Sequence, residues 1–507
     1  MLDQQRGTHP VAAEFLALPL RALADAALSA AREAGAEWAD FRLERLVSAH
    51  LRLQDTAVQS AADAVDLGYG VRVLLEGTWG FAGSVRLTAD AAAATARRAV
   101  AVARALRPAV TERVERADEP VHADVSWVSD YEIDPFAIPA TDRIAVLLDH
   151  SERLLAADGV AHTAAGLDQV LENKFYADTA GTVTTQQRVR IQPEFTAIAV
   201  DPASGSFETM RSLAPPAGRG WEYVTGAGWD FGAEIEVMAA TLAEKVKAPS
   251  VSAGRYDLVI DPSNLFLTIH ESIGHATEYD RAIGYEAAYA GTSFATPDQL
   301  GTLVYGSPVM NVTGDRTAPN GLATIGYDDD GVATQTWDLI NGGILTGYQL
   351  DRTFAHRLGL PRSNGCAFAD SPLHQPLQRM ANVSLQPDPA GGSTADLIAG
   401  VDDGIYVVGD NSWSIDMQRY NFQFTGQRFY RISGGKLAGQ LRDVAYQATT
   451  TDFWGAMDAV GGPDTYVLGG AFNCGKGQPG QVAAVSHGCP SARFRQISVL
   501  NTVAEGA

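Results

Sequence analysis

Apolar residues recur along this chain with two different periods, and the period changes with position. Leucines and alanines at helical spacing predict a helix over about 20–34, entered just after Pro19. A second alanine-rich helix is predicted over 88–106, with Thr88 as its cap and Pro108 closing it. Between them, 39–53 and 68–75 alternate as strands do, and Glu76-Gly77-Thr78-Trp79-Gly80 supplies a glycine-bearing hairpin turn. An acidic stretch from Glu115 to Asp124 is followed by a helix over about 141–157 and by strands rich in Val, Thr and Phe between 161 and 200. Ala214-Pro215-Pro216-Ala217-Gly218-Arg219-Gly220 is a loop by its breakers, and a helix near 231–247 follows. From 251 onward the chain breaks into short segments punctuated by Gly, Asn and Asp. Of these, 339–348, 404–408, 422–432 and 494–500 read as strands. The pattern predicts an α+β protein in three parts: an N-terminal α+β domain (1–112), a middle α+β domain (113–250), both serving as scaffold, and a C-terminal β-rich domain (251–507).

Composition adds a compartment and removes some partners. With 507 residues and 46% hydrophobic content, large cores are affordable. Arg21, Asp25 and Arg32 interrupt the first apolar stretch, so it does not read as a signal peptide, and no run reaches the length of a membrane span. Three cysteines do not make a disulfide framework, which points to the reducing cytoplasm. The net charge of −22 repels phosphate backbones, and no basic run or zinc-finger spacing offsets it. Neither nucleic acid nor membrane is expected as a partner.

Candidate chemistry concentrates in His270-Glu271-Ser272-Ile273-Gly274-His275. Two imidazoles and a carboxylate are the kit of a hydrolytic zinc site, where the metal lowers the pKa of bound water to about 7 and a carboxylate takes its proton. The spacing is unusual. Histidines at i and i+5 stand about 140° apart on a regular helix, so the helix must widen or kink between them, as a π-bulge does. Gly274 would ease that distortion. The segment 255–261 reads as a strand leading into it, and Pro262, Ser263 and Asn264 offer helix-start chemistry ahead of an apolar run. Catalytic zinc usually keeps three protein ligands, so a third must come from elsewhere. By local chemistry Cys474, in a stretch of Asn, Gly and Lys read as a loop, ranks only slightly ahead of Cys489, with Cys366 more distant.

These residues resemble the TldD/PmbA family of metallopeptidases. The family's H-E-x-x-x-H is followed by an acidic pair matched by Glu278 and Asp280, and its N-C-G-K-x-G-Q-like segment is resembled by Asn473-Cys474-Gly475-Lys476-Gly477-Gln478. Ile325 to Gly331, Asn341-Gly342-Gly343-Ile344-Leu345 and Arg379-Met380-Ala381-Asn382 fit further family segments in the right order. The resemblance covers most of the chain and is strongest from about 255. It departs between Cys366 and Leu373 and at the C-terminal end, which lacks a glycine pair.

The resemblance implies a large, mainly antiparallel sheet carrying the metal helix, with His270, His275 and Cys474 on Zn²⁺ and Glu271 as general base activating a metal-bound water. Lys476 would favour the Cys474 thiolate. Glu278 would be a fourth ligand or, preferably, a partner of a ligand histidine, with Asp280 in a similar role. His374, Arg379 and Asn382 are candidates for lining a substrate groove, with plain hairpin roles equally open. Asp328, Asp329 and Asp330 lack the spacing of a calcium loop and read as a solvated turn. The function expected is a cytoplasmic zinc peptidase hydrolysing unfolded segments or short peptides, received as an added strand. It would be paired with a related subunit in a heterodimer or with itself. The alternative is a non-catalytic scaffold or regulatory subunit of such a complex, and the complete donor set argues against it.

Overall fold

The computed structural model describes residues 9–200, 205 and 207–504, so the departure at the extreme C-terminal end lies outside the described residues. The fold is α+β and is built around two large sheets. The first sheet holds β1 (Trp38–Gln54), β2 (Ala57–Leu75), β3 (Thr78–Ser84), β4 (Val125–Val128), β5 (His162–Asp178), β6 (Val183–Val200) and β7 (Phe207–Arg211). Its order is β3-β2-β1-β5-β6-β4, with β7 on the outer side of β6. β1 pairs antiparallel with both β2 and β5, so strands from either side of residue 112 share one sheet. The turn predicted at Glu76-Gly77 is two residues long, with φ of 48° and 70°, as a hairpin matching strand twist requires.

Helices α1 (Leu20–Glu33) and α2 (Ala89–Leu106) cover one part of this sheet. Their alanines permit close approach. A Cβ at Gly80 on β3 would meet the Ala99 carbonyl at 2.1 Å, which is why that position is glycine. Helices α3 (Ala140–Leu155) and α4 (Phe231–Lys247) build a second core with Leu167, Phe195 and Trp221. One stretch stays bare: from Ala57 to Asp66, β2 is exposed, paired to β1 on one side and to β3 only from Tyr69 onward.

The second sheet comprises β8 (Gly254–Ile260), β9 (Asp403–Ile415), β10 (Asn421–Ser433), β11 (Lys436–Leu441), β12 (Val444–Thr449) and, beyond the hairpin β13 (Val467–Lys476)–β14 (Gln481–Cys489), β15 (Ala492–Asn501), with the short strand Met457–Val460 paired to β15. Its order is β9-β8-β15-β12-β10-β11, and β9 also pairs with β10, so the strands close into a barrel. All pairings are antiparallel except β8 with β9. β8 runs directly into α5 (Pro262–Ile269), where Asp261 caps the helix through its carboxylate and Pro262 takes the first turn. Asn264 ties this helix to the barrel through the carbonyls of Gly409 and Thr425 and the Tyr446 hydroxyl, each at 2.8–2.9 Å.

Asp328, Asp329 and Asp330 correct the sequence reading. They do not form a solvated turn; each is at most 3% exposed. Asp329 accepts from Arg42 on β1 at 2.8 Å and from Lys174 on β5 at 2.9 Å, while Asp330 pairs with Arg72 on β2. Three cationic strand residues on the face of the first sheet need countercharge when covered, and this turn adds to what Asp40, Glu44 and Glu172 on the sheet provide. A buried charge left without a partner would cost several kcal/mol.

Candidate metal centre

The helix predicted to widen does so. His270 to Gly274 form a π-turn at the end of α5, closed by a 3.0 Å bond from the His275 amide to the His270 carbonyl. That i→i+5 bond brings the two imidazoles onto one side, with ring centroids 4.7 Å apart. Gly274 serves a different need from the one expected. Its φ is not positive, and an added Cβ would lie 2.7 Å from the Met380 sulfur and 3.5 Å from His487 Cε1. It is glycine because the Met380 thioether presses against the turn, His487 lying at ordinary contact distance.

Cys474 faces this helix, from β13 rather than from a loop, beyond a register shift between Ala471 and Cys474. Glycine and asparagine in that stretch disguised a strand. The donor atoms of His270, His275 and Cys474 lie within 4.8 Å of one another, and Cys474 Sγ is 3.6 Å from His275 Nε2. All three residues are buried. Cys489 and Cys366 lie outside the cluster. Burial pushes the Cys366 thiol up to about 11 and the Cys489 thiol well above its usual range.

Hydrogen bonds behind the histidines fix their tautomers. His275 Nδ1 is 2.8 Å from Glu278 Oε2, a carboxylate that can only accept, so the ring's proton sits on Nδ1 and Nε2 is bare. For His270 the chain is longer. His487 Nδ1 donates to the Val383 carbonyl at 3.0 Å, which leaves its Nε2 as acceptor for His270 Nδ1 at 2.7 Å. His270 Nε2 is then also free. Burial lowers the His270 and His487 pKa values and keeps both rings neutral.

The thiol is prepared as well. Burial alone would raise the Cys474 pKa, but His275 and Arg379 outweigh it and bring it below the usual value. His275 is the larger influence, and Arg379 adds to it while donating to the Cys474 carbonyl at 2.6 Å and to the Gln481 carbonyl at 3.2 Å. Lys476, expected to do this, points instead to Glu278 at 3.1 Å and Asp280 at 2.8 Å. Two imidazoles whose Nδ1 atoms are engaged behind them, and a thiolate-prone sulfur, suit zinc. Tetrahedral Zn–N and Zn–S bonds place donors about 3.5 Å apart, close to the sulfur–nitrogen separation found here.

Glu271 stands beside the cluster, 5% exposed, with Arg419 paired to one of its oxygens. Burial tends to raise its pKa, but His270, His275 and Arg419 together lower it, so it is a carboxylate at neutral pH. Asn382 is a strut rather than a groove residue, bonding Asp315, Thr324, Ala323 and Ser486. His374 is held by Asp370 at 2.7 Å. His487 and Arg419 were missed by the sequence reading. His487 lay in view beside Cys489, and an alternating strand with a histidine three residues after Ala484 was its one signal; Arg419 had none.

A barrel-borne helix presenting imidazoles and a carboxylate to a strand thiol defines the class: an α+β protein with a donor set of the metallohydrolase kind. The chain matches the model of the PmbA/TldA metallopeptidase C-terminal domain over residues 253–501 and that of domain 1 over 39–103. It belongs to the TldD/PmbA family. A metalloprotease of Methanothermobacter thermautotrophicus is 26% identical over 478 residues, covering 92% of this chain and 96% of that protein. A zinc metalloprotease TldD homolog of Saccharolobus solfataricus is 22% identical, covering 92% and 98%. TldE from Thermococcus kodakarensis shares the fold with a TM-score of 0.68 at 14% identity, covering 93% of this chain and 98% of that one. A candidate modulator of a DNA gyrase from Thermotoga maritima does so at 0.74 and 15%, covering 94% and 99%. Among the described residues no helix is long and apolar enough to cross a membrane.

Proposed function

We propose that this protein is a zinc-dependent peptidase of the cytoplasm, acting on unfolded segments or short peptides. The chemistry would be confined to the C-terminal domain (251–507), and domains 1–112 and 113–250 would act as scaffold. One observation carries the reading: two histidines with their Nε2 lone pairs exposed by fixed tautomers converge on a buried, thiolate-prone cysteine beside a carboxylate. His270, His275 and Cys474 would hold the ion, and Glu278 would orient His275 rather than ligate, since its two oxygens are engaged by His275 and Lys476. A zinc ion held there supplies Lewis acidity toward a carbonyl and acidifies water. Glu271 takes the proton of the attacking water and returns it to the departing amine nitrogen. The metalloprotease names of the relatives support this activity, and the likeness to TldE supports pairing with a related subunit.

The test is metal analysis and peptide hydrolysis of the wild type beside Glu271→Gln and Cys474→Ser. Glu271→Gln should keep its zinc and lose hydrolysis; Cys474→Ser should lose most of its zinc. Full activity in Glu271→Gln would remove Glu271 as the base, and a zinc-free, inactive wild type would remove the peptidase reading altogether.

A further inference from the structure

Arg419 occupies a position that the proposed ligand set and base leave unexplained. It sits in the turn between β9 and β10, which reaches back over the metal helix. The turn is firmly built. The Asp416 carboxylate accepts from the amides of Gln418, Tyr420 and Asn421 at 2.8–3.1 Å, and the carbonyls of Met417 and Gln418 accept from Thr292 and Phe294 at 2.8 and 2.9 Å. Arg419 itself is held at φ +63°, a left-handed conformation unusual for a long side chain. Thr450 bonds its carbonyl at 2.8 Å. All this order delivers one guanidinium to Glu271.

The other cations near the cluster are already engaged. Lys476 is bound by Glu278 and Asp280, Arg281 faces Glu286 at 3.3 Å, and Arg379 braces backbone carbonyls. Among the described residues, Arg419 has Glu271 as its one ion-pair partner, and its buried Nε has no hydrogen-bond partner. It keeps donors to spare beside the carboxylate that would act as base.

The donor chemistry gives those donors a task. A thiolate ligand cancels one of the two positive charges of zinc, so the ion with two imidazoles and Cys474 is a weaker Lewis acid than one held by neutral ligands. A peptide carbonyl turning into an oxyanion there would need a second electropositive group. We infer that Arg419 is that group: a catalytic residue whose guanidinium receives the oxyanion of the scissile carbonyl. This rests on the peptidase reading above. As water oxygen bonds to the carbonyl carbon, the water proton passes to Glu271 and the C=O electron pair moves onto oxygen. Glu271 thereby loses the charge that held Arg419 at the moment the oxyanion acquires one, and the guanidinium exchanges one partner for the other. When the C–N bond breaks, Glu271 returns the proton to nitrogen, the carbonyl re-forms and the ion pair is restored.

Arg419→Gly is the informative variant, because glycine accepts the left-handed φ and keeps the turn. Zinc content and binding should be read with two ligands: a plain peptide and the matching phosphinic peptide, whose tetrahedral anion mimics the oxyanion. Arg419→Gly should keep one zinc and its affinity for the plain peptide within about threefold. It should lose about 10²–10³ in kcat and a similar factor in phosphinic-peptide affinity, the range seen when one oxyanion donor is removed. Methylguanidinium should restore part of both. Unchanged kcat and phosphinic affinity, an equal loss for both ligands, or loss of zinc would each overturn the assignment while the wild type stays an active zinc peptidase. A wild type that binds neither zinc nor the phosphinic peptide would overturn both this and the peptidase reading.

Discussion

Replacing Gly274 with alanine separates two explanations for a glycine between metal-binding histidines. If glycine were needed only to let the helix widen, alanine would cost little, and in a regular helix interior it is favoured by about 1 kcal/mol. The structure argues for a steric reason instead. The new methyl would stand 2.7 Å from the sulfur and 3.0 Å from the methyl carbon of Met380, itself 1% exposed. The thioether must move within a filled core, and overpacking of this kind costs about 1–3 kcal/mol. Against a helix gain of at most about 1 kcal/mol, the net expectation is a loss of about 1 kcal/mol. The remedy is specific. In a Met380→Ala background the same methyl enters vacated space, so Gly274→Ala should become neutral or mildly stabilising, with a coupling of about 1–2 kcal/mol between the sites. Chemical unfolding of the metal-free protein measures the four corners of the cycle, and zinc affinity by chelator competition reports whether the His270–His487 contact survives. Additive effects, or a stabilising Gly274→Ala in the wild-type background, would refute the packing argument.

Three further outcomes follow from the same geometry. Glu278→Gln should weaken zinc binding about 10–100-fold, because it removes the carboxylate that fixes the His275 tautomer; competition titration checks it, and unchanged affinity would make Glu278 a structural residue only. Asp329→Ala should destabilise the protein by about 2–3 kcal/mol, since it removes the closest carboxylate from Arg42 and Lys174 and leaves them Glu44 and Glu172 at 3.5–3.8 Å, and calorimetry of the two proteins measures this. Burial would raise the Asp330 pKa, but Arg72, Arg116 and Arg352 outweigh it and bring it down to about 2 from 3.8. The folded state therefore holds fewer protons than the unfolded chain between those values. The stability from this ion pair is present above pH 3.8 and lost as pH falls toward 2, so the gap between wild type and Asp330→Asn should be wide at pH 6 and close across that window. A gap independent of pH would show that the carboxylate is not carrying charge.

Local rules went furthest where the chemistry was local. The histidine spacing required a widened turn, and the π-turn at His270 to Gly274 supplies it. Thr88 caps its helix as expected, and Glu76-Gly77 makes the two-residue turn its composition called for. The failures have long-range causes. Asp329 looks like any polar turn residue until Arg42 and Lys174, 287 and 155 positions away, are brought against it. The Cys474 stretch has a loop's composition, yet β14 offers it a pairing edge, and that edge decides the outcome. Arg419 carries no mark in the sequence because its importance comes from Glu271, 148 positions distant. Only the resemblance set Cys474 well ahead of Cys489 as the third candidate ligand; in the structure its sulfur lies within 4.8 Å of the donor atoms of His270 and His275.

The bare stretch of β2 has a consequence for how the molecule survives at high concentration. An open strand margin invites lateral growth by other chains, and proteins blunt such margins with charge and poor strand formers. Residues 57–66 (AVQSAADAVD) follow that recipe: four alanines interrupt the β-branched residues, and two carboxylates, Asp63 and Asp66, repel a like margin on a neighbouring copy. Val58 and Val65, 45% and 62% exposed, are the large apolar side chains left on it. Neutralising both aspartates would strip that protection and turn a solvated rim into a seed for fibrous assembly.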